Sequence, residues 1–328
     1  MKICFYSVKE YEQVYLEQEN VDHQIKLLSV ILDSQSISEA ETYDAISIFS
    51  KDNCDENMLS RLKAMGIKLI CLRSAGYDNI DIAVAQEYGI KVARVPSYSP
   101  EAIAEHAIML ILALSRHFSS GQLRLKRYNF HLRDMMGFNI HDKTIGVIGT
   151  GNIGRAFIKI LNGFGADVIA YDINPDYTLY DSLSFEYMDL ISVVQKSDII
   201  SLHMPYDETN YHYIDIAELD LMKSDTIIIN TSRGQLLNTE AALEYLDSGR
   251  LGGLGLDVYE KEKPYFFEDH SAQGIDDDCL KALIHHEKVV LTGHQAFLTE
   301  TAITNIAITT FQNISDYTRN QFGYNFIC

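Results

Sequence analysis

Positive charge is scarce in this chain of 328 residues. It has 27 Lys and Arg residues against 46 Asp and Glu residues, which gives a formal net charge of −19. Proteins bind nucleic acids and anionic membrane surfaces mainly through basic side chains, so this balance predicts no nucleic-acid and no membrane partner. It remains compatible with a small anionic ligand, because one or two local cations are enough to hold one.

Paired cysteines and long apolar runs are also missing. The five cysteines, Cys4, Cys54, Cys71, Cys279 and Cys328, are widely spaced and form no CxxC pair. This pattern indicates neither a disulfide framework nor a zinc site, and it predicts a cytoplasmic location. The longest apolar run, residues 107–114, is far below the ~20 residues that a membrane span needs. The first residues predict a β-strand rather than a signal peptide.

The chain contains two series of short apolar strands separated by helical segments. It contains no internal repeat. The first series predicts strands at residues 2–6, 24–28, 45–49, 69–72 and 91–94. The second predicts strands at residues 144–148, 167–171, 199–203, 226–230, 253–257 and 289–292. Such alternation is typical of parallel sheets with crossover helices. Six strands in the second series match the size of a complete dinucleotide-binding fold.

The order of these segments predicts an inserted domain. The nucleotide-type series lies in the middle of the chain, a long helix precedes it at Ser99-Pro100, and a last helix follows from about residue 300. The simplest arrangement has residues 1–99 and 299–328 forming one domain, and residues 100–298, with the nucleotide-type series, forming the other. A cleft between two domains is the expected ligand site.

A glycine motif carries the cofactor prediction. GTGNIG at residues 149–154 directly follows an apolar strand and opens a helix. Gly149 permits the tight turn, Gly151 lets a pyrophosphate approach the backbone, and Gly154 allows close helix packing. Asp172 ends the next strand, where it can bind the ribose hydroxyls and repel a 2′-phosphate. The motif therefore predicts NAD rather than NADP.

Three side chains at later strand ends predict the chemistry. Arg233 offers a forked cation for a carboxylate, and His294 can exchange a proton near neutral pH. Glu262 can orient that imidazole and stabilise its charged form. Taken singly, each has an ordinary alternative: a surface ion pair for the arginine, a solvated turn for the glutamate, and a helix cap or core partner for the histidine. Together, on a nucleotide fold, they favour an enzyme that reduces a keto acid.

The order GTGNIG, TSRG, DVYExE and GHQAF resembles the NAD-dependent D-2-hydroxyacid dehydrogenase family. The segments RSAGYDN, VPSYSPEAIAEH and GHQAFLT are similar to its fermentative D-lactate dehydrogenase branch. The resemblance implies an α/β fold of two Rossmann-like, doubly wound domains, with the nucleotide-binding domain inserted into a flavodoxin-like substrate domain. It implies reduction of pyruvate to D-lactate by hydride transfer from NADH.

The resemblance also implies a role for each site residue. Arg233 would bind the substrate carboxylate and polarise the keto group, and Glu262, rather than Glu260, would pair with the acid/base His294. Substrate contacts would come from the backbone of Ser74, Ala75, Gly76 and Tyr77, from Tyr98, and from the size-limiting aromatics Phe49 and Phe297. Cofactor contacts would come from Gly149, Gly151, Asn152, Ile153, Gly154, Asp172, Met204, Pro205, Asn210, Thr231, Ser232, Arg233 and Asp257.

Several alternatives stay open at this point. The substrate could be a bulkier 2-hydroxy acid, and a non-catalytic NAD(H)-sensing protein similar to a corepressor has the same fold. The helix after Ser99 resembles the family's dimer-forming helix, which implies a homodimer or a tetramer of two dimers. Tyr259 to Lys263 also matches the YxxxK pattern of short-chain dehydrogenases, but it follows a strand, so we interpret the match as chance. His285-His286 lacks the partners of a metal site, and no metal is expected.

Overall fold

The computed structural model describes all residues from Met1 to Cys328, and they divide into two compact units. The first unit combines Met1–Ser99 with Leu298–Cys328, and the second unit is the continuous segment Pro100–Phe297. The second unit is thus inserted into the sequence of the first. The return crossing falls one residue earlier than the sequence-based boundary, because Leu298 belongs to the first unit.

The first unit contains a parallel sheet of five strands in the order β2-β1-β3-β4-β5. Its elements are β1 (Lys2–Phe5), α1 (Glu10–Glu19), β2 (Gln24–Leu27), β3 (Ala45–Ile48), α2 (Glu56–Ala64), β4 (Leu69–Leu72), α3 (Ile82–Glu87) and β5 (Lys91–Ala93). This strand order is the flavodoxin-like one. The strands lie where their apolar runs predict them, and four of the five end one residue earlier.

The second unit contains a parallel sheet of seven strands in the order β12-β11-β10-β9-β6-β7-β8. Its elements are α4 (Pro100–Ser115), α5 (Phe118–Leu125), β6 (Thr144–Ile148), α6 (Asn152–Phe164), β7 (Asp167–Tyr171), β8 (Glu186–Tyr187), α7 (Leu190–Lys196), β9 (Ile199–Leu202), α8 (Ile216–Leu221), β10 (Ile227–Asn230), α9 (Thr239–Asp247), β11 (Gly253–Leu256), α10 (Asp278–His285) and β12 (Val289–Leu291). The last helix, α11 (Glu300–Thr318), belongs to the first unit.

The expected count of six strands in the second unit is wrong by one. The additional strand is β8, which pairs with β7 over only two residues. A strand this short shows no alternation or apolar run in the sequence, so only the pairing with β7 reveals it. None of the helices combines the length and apolar character that crossing a membrane would require.

Helices cover both faces of each sheet, which explains the continuous apolar strands. In the first unit, Leu16 of α1 and Phe311 of α11 pack on Ile3 and Phe5, while α2 and α3 cover the other face. In the second unit, α4 and α6 cover one face, with Phe157 among the buried side chains. Helices α7 to α10 cover the opposite face. Both units are therefore doubly wound.

The order of the second sheet decides where its loops meet. Chain order reverses between the adjacent strands β6 and β9, which creates the switch point where doubly wound sheets bind ligands. All seven strands are parallel, so every loop that follows a strand emerges at the same edge. The glycine motif and the segments around Arg233, Glu262 and His294 therefore share the carboxyl edge of one sheet.

Candidate active site

The glycine motif forms a tightly packed turn with open space above it. Gly149 has a φ of +98°, and a Cβ there would lie 2.6 Å from the carbonyl oxygen of His203. A Cβ on Gly154 would lie 2.1 Å from the carbonyl oxygen of Gly149. A Cβ on Gly151, in contrast, would meet no atom within 4 Å. This open surface at the start of α6 fits a pyrophosphate bound by backbone N–H groups, with Asn152 and Ile153 in the first helical turn.

Asp172 at the end of β7 is held beside this turn. Its Oδ2 accepts hydrogen bonds from the backbone N–H of Thr150 at 2.7 Å and from Thr150 Oγ1 at 2.9 Å. Its Oδ1 accepts from the N–H of Asn174 at 2.9 Å. The neighbouring cation Arg155 donates to Asp176 at 3.1 Å and to the carbonyl of Thr150 at 2.9 Å. The carboxylate is thus oriented by the protein itself, and its contact with the ribose hydroxyls of NAD stays a prediction.

A neutral histidine supports the turn from below. His203 follows β9, its Nε2 lies 2.9 Å from Ser201 Oγ, and its ring lies 4.7 Å from that of Phe157. Burial lowers the pKa of His203 to about 3. Its imidazole is therefore uncharged at neutral pH, and its role beneath the glycine turn is packing.

Hydrogen bonds hold the loops after β9 and β10, one between the two loops and one within the loop after β9. Ser232 Oγ donates to the carbonyl of Met204, and Asn210 Nδ2 donates to the carbonyl of Pro205 at 2.9 Å. Thr231 Oγ1 is buried and has no hydrogen-bond partner within the protein. A buried unpaired hydroxyl costs roughly 1–3 kcal/mol, so a polar ligand group at Thr231 would be stabilising. The amide of Asn210 closes its own turn, and its cofactor contact stays a prediction.

His294 and Glu262 form a direct pair. Nδ1 of His294 lies 2.7 Å from Oε1 of Glu262, while Oε2 of Glu262 accepts from the backbone N–H of Tyr259 at 2.9 Å. Both side chains are about one-fifth exposed, at 20% and 19%. Since Nδ1 is bonded to Glu262, Nε2 is the ring nitrogen that can exchange a proton with a substrate.

The other glutamate of the same turn, Glu260, has a different partner. Oε2 of Glu260 lies 2.9 Å from Nε2 of His212. The YxxxK match has a structural explanation as well, because the Tyr259 hydroxyl is buried and donates to both carboxylate oxygens of Asp277. Burial raises the pKa of Tyr259, which makes it a poor acid at neutral pH.

Asp257 holds the turn that carries His294. His294 has a left-handed φ of +53°, and its backbone N–H donates to the carbonyl of Asp257 at 2.7 Å. The Asp257 carboxylate accepts from the N–H of Gln295 and from the N–H of Ala296, each at 2.8 Å. Thr292 Oγ1 donates to the same carboxylate at 2.6 Å. The side chain of Asp257 therefore stabilises the turn, a role that sequence reasoning missed.

The environment of Asp257 opposes protonation. Nearly complete burial raises the pKa of Asp257. Hydrogen bonds from His106 and Thr292 and the charge of His294 together lower this pKa by more than burial raises it. The net pKa lies below the ordinary aspartate value. His106 Nε2, on α4, lies 2.9 Å from Thr292 Oγ1 and 3.4 Å from Asp257 Oδ1. The charged carboxylate is thus available to hold the turn throughout the neutral range.

Arg233 lies on the loop between the cofactor segments and the Glu262 turn. It caps the 3-10 turn Gly234–Leu236, and Asn230 Nδ2 donates to its carbonyl at 2.8 Å. A Cβ on Gly234 would lie 2.1 Å from the carbonyl carbon of Tyr259, so glycine lets these two loops touch. The half-buried guanidinium donates through Nη1 to the carbonyl of Ser232 at 2.9 Å.

Aromatic rings surround the imidazole. The ring of Phe297 lies 6.5 Å from that of His294, and the ring of Phe267 lies 5.6 Å away. Phe297 is nearly buried, at 8% exposure. Phe267 is not among the sequence-predicted site residues, because no local pattern relates it to His294. Two aromatic side chains therefore lie near the imidazole.

In the first unit, the loop after β4 is closed by its own contacts. Ser74 Oγ donates to the carbonyl of Gly76 at 2.8 Å, and Arg94 donates to the carbonyl of Ala75 at 3.0 Å. The guanidinium of Arg94 also lies 5.2 Å from the ring centre of Tyr77. The carbonyl of Tyr98 accepts from Asn305 on α11 at 2.6 Å. Sequence reasoning missed Arg94, whose partners lie nineteen and seventeen residues away.

Comparison with known proteins identifies the family of the chain. Residues 108–296 match the family described as "D-isomer specific 2-hydroxyacid dehydrogenase, NAD binding domain". The chain belongs to the NAD-dependent D-2-hydroxyacid dehydrogenase family. It is 43% identical over 318 residues to a 2-hydroxyacid dehydrogenase homolog of Haemophilus influenzae, covering 96% of this chain and 95% of that protein. It is 42% identical over 323 residues to the D-lactate dehydrogenase of Escherichia coli, covering 98% of each.

A solved relative extends the comparison to the whole fold. The D-lactate dehydrogenase of Aquifex aeolicus, complexed with NAD and lactic acid, has a TM-score of 0.90 at 30% identity and covers 99% of this chain and 98% of its own. The predicted family, fold class and cofactor are thereby confirmed. The second unit of this dehydrogenase is its NAD-binding domain, and NAD is its cofactor.

Proposed function

We propose that this dehydrogenase is a D-lactate dehydrogenase that reduces pyruvate to D-lactate. The observation that carries the proposal is the 2.7 Å pair of His294 and Glu262, on loops next to Arg233 at the carboxyl edge of an NAD-binding sheet. The names of relatives such as the Escherichia coli enzyme support the substrate. Phe297 beside the imidazole, with Phe49 in the first unit, favours a methyl side chain over a bulkier one.

In this mechanism His294, Glu262 and Arg233 have different tasks. Bound NADH supplies the hydride. Nε2 of His294 donates a proton to the keto oxygen as the carbonyl carbon is reduced, while Glu262 stabilises the charged imidazole and fixes its ring. Arg233 binds the substrate carboxylate in a bidentate fashion and polarises the keto group. In a chain with a net charge of −19, Arg233 provides the local positive field that an anionic substrate needs.

The turn around His294 favours this chemistry. Proton transfer requires the imidazole to be held within hydrogen-bond reach of the keto oxygen. Asp257 holds the backbone on both sides of the imidazole, and Glu262 holds the ring. The backbone of Ser74, Ala75 and Gly76, with Tyr98, remains the predicted substrate contact of the first unit. The homodimer or tetramer of two dimers and the cytoplasmic location also remain predictions.

Steady-state oxidation of NADH with pyruvate tests the proposal. We expect turnover with pyruvate, a D-configured product, and slower turnover with 4-methyl-2-oxopentanoate. His294→Gln should lower kcat by about 10²–10⁴-fold while NADH still binds, as measured by NADH fluorescence. No turnover of pyruvate by the wild-type protein, or formation of L-lactate, would refute the proposed activity. An NADH-binding protein without turnover would favour the corepressor-like alternative.

A further inference from the structure

A buried network in the first unit surrounds Phe49, directly after β3. The backbone N–H of Phe49 donates to Asp52 Oδ2 at 2.7 Å, and its carbonyl accepts from Asn79 Nδ2 at 3.0 Å. Asp52 is 0% exposed and Asn79 is 5% exposed. Both polar groups of the Phe49 backbone are therefore held by buried side chains, one from within the turn and one from the loop after β4.

The two holding side chains are themselves fixed. Oδ1 of Asp52 accepts from Ser7 Oγ and from the backbone N–H of Leu32, each at 2.7 Å. Asn79 Nδ2 also donates to the carbonyl of Asp52 at 2.7 Å. Asp52 thus joins the loops after β1, β2 and β3 through one carboxylate. Moving Phe49 would break hydrogen bonds to buried side chains, where each unpaired group costs roughly 1–3 kcal/mol.

The ring of Phe49 has a fixed neighbour as well. The guanidinium carbon of Arg73 lies 5.8 Å from the centre of the ring. Arg73 is fully buried and is held by Glu12 at 3.1 and 3.2 Å and by the carbonyl of Tyr6 at 2.7 Å. These contacts hold the guanidinium of Arg73 in one position beside the ring of Phe49.

We propose that Asp52 and Asn79 are positioning residues that set the substrate-size limit by fixing Phe49. The inference rests on the proposed function, in which Phe49 restricts the pocket. A pocket wall that could shift would admit longer side chains, since a flexible aromatic ring excludes little. Because the backbone of Phe49 is held at both its N–H and its carbonyl, the Cα cannot shift away, and the ring beside Arg73 keeps its position before a substrate binds.

Asp52→Asn removes one of these attachments selectively. The amide oxygen is expected to face Ser7 and Leu32, which together present two donors to one oxygen. The amide NH₂ then faces the N–H of Phe49, and two donors cannot bond to each other. Asn79→Ser is the second variant, because its shorter side chain cannot reach the carbonyls of both Phe49 and Asp52. Ser7→Ala is the matched control, since it loses one bond of the same network without touching Phe49.

The readout is the ratio of kcat/KM for 4-methyl-2-oxopentanoate to that for pyruvate, with thermal unfolding followed in parallel. Phe49→Ala should raise this ratio by about tenfold or more, and Asp52→Asn and Asn79→Ser should raise it by several-fold. Ser7→Ala should lower stability without changing the ratio. In a Phe49→Ala background, Asp52→Asn should add nothing, because the ring through which it acts is gone.

Three outcomes would overturn the inference. One is a ratio in Asp52→Asn and Asn79→Ser that shifts no more than in Ser7→Ala. Another is an equal change of the ratio on Asp52→Asn in the wild-type and Phe49→Ala backgrounds, which would show that Asp52 acts on the substrate-size limit without the Phe49 ring. If Phe49→Ala itself leaves the ratio unchanged while pyruvate is still reduced, the role of Phe49 in the pocket is wrong and the inference is wrong with it. Absence of any 2-keto acid reduction by the wild type would instead refute the proposed function.

Discussion

Replacing Thr292 with valine removes one hydroxyl from the network behind His294. Thr292 Oγ1 donates to Asp257 Oδ1 at 2.6 Å and lies 2.9 Å from His106 Nε2. Asp257 holds the turn of His294 through the backbone N–H groups of Gln295 and Ala296. Valine has nearly the shape of threonine, so the variant tests the hydroxyl rather than a cavity.

The expected loss follows from the contacts that remain. A hydrogen bond to a charged group contributes roughly 1.5–3 kcal/mol, and Asp257 Oδ1 keeps the N–H of Gln295 as a partner. We therefore expect the lower part of this range, about 1.5 kcal/mol, and a decrease in Tm of about 3 °C. If proton transfer requires the intact turn, kcat should fall by up to about tenfold, since 1.36 kcal/mol corresponds to one decade.

The loss should also depend on pH. The pKa of Asp257 is lowered in the folded protein, so its contribution to stability is complete above the ordinary aspartate pKa. This contribution disappears as the pH falls from that value toward the lowered pKa. Thr292→Val brings the folded pKa closer to its ordinary value. The difference in stability between wild type and variant should therefore be largest at neutral pH and shrink below about pH 4.

Circular dichroism melts at pH 7 and at acidic pH, with kcat measured at pH 7, test this expectation. Thr292→Ser keeps the hydroxyl and is the matched control, with stability and kcat expected near those of the wild type. NADH affinity should change little in either variant. Equal stability and equal kcat in the Val and Ser variants would refute the reasoning that this hydroxyl supports the His294 turn.

The remaining predictions concern single side chains. Glu262→Gln should lower kcat strongly while Glu260→Gln changes it little, because only Glu262 bonds His294; equal losses in steady-state assays would contradict the assignment. Arg233→Lys should raise KM for pyruvate and lower kcat/KM, since lysine cannot form the bidentate contact; an unchanged kcat/KM would exclude the anchor role. The pKa of His203 is lowered by burial to about 3, so between about pH 6.5 and that value the unfolded state binds the extra proton and folding stability falls on acidification. The wild type should lose up to about 1.4 kcal/mol per pH unit more than His203→Gln in denaturant titrations, and parallel pH profiles would show that His203 is not the group responsible.

Several features of this protein follow from the sequence because they depend on near neighbours. Apolar runs such as those at 45–48 and 227–230 predict buried strands, since both faces of a doubly wound sheet are covered. The glycine turn and Asp172 are also local, because the motif, the helix and the next strand form one βαβ unit. The position of that unit in mid-chain was enough to predict an inserted domain. The short strand β8 has no such local signal.

The partners of individual side chains depended on the tertiary structure. Glu260 and Glu262 are two residues apart in one turn, and their different histidines lie 48 and 32 residues away along the chain. The hydrogen bonds from Gln295 and Ala296 to the Asp257 carboxylate join residues that lie 38 and 39 positions apart. They form because β11 and β12 are adjacent in the sheet. The hold of Asn79 on Phe49 spans 30 residues. The sequence by itself thus determined the family, the fold and the cofactor, because their signals lie in short stretches of neighbouring residues. The hydrogen bonds that orient the site residues depend on the tertiary structure, because they form only where the folded sheets bring distant loops together.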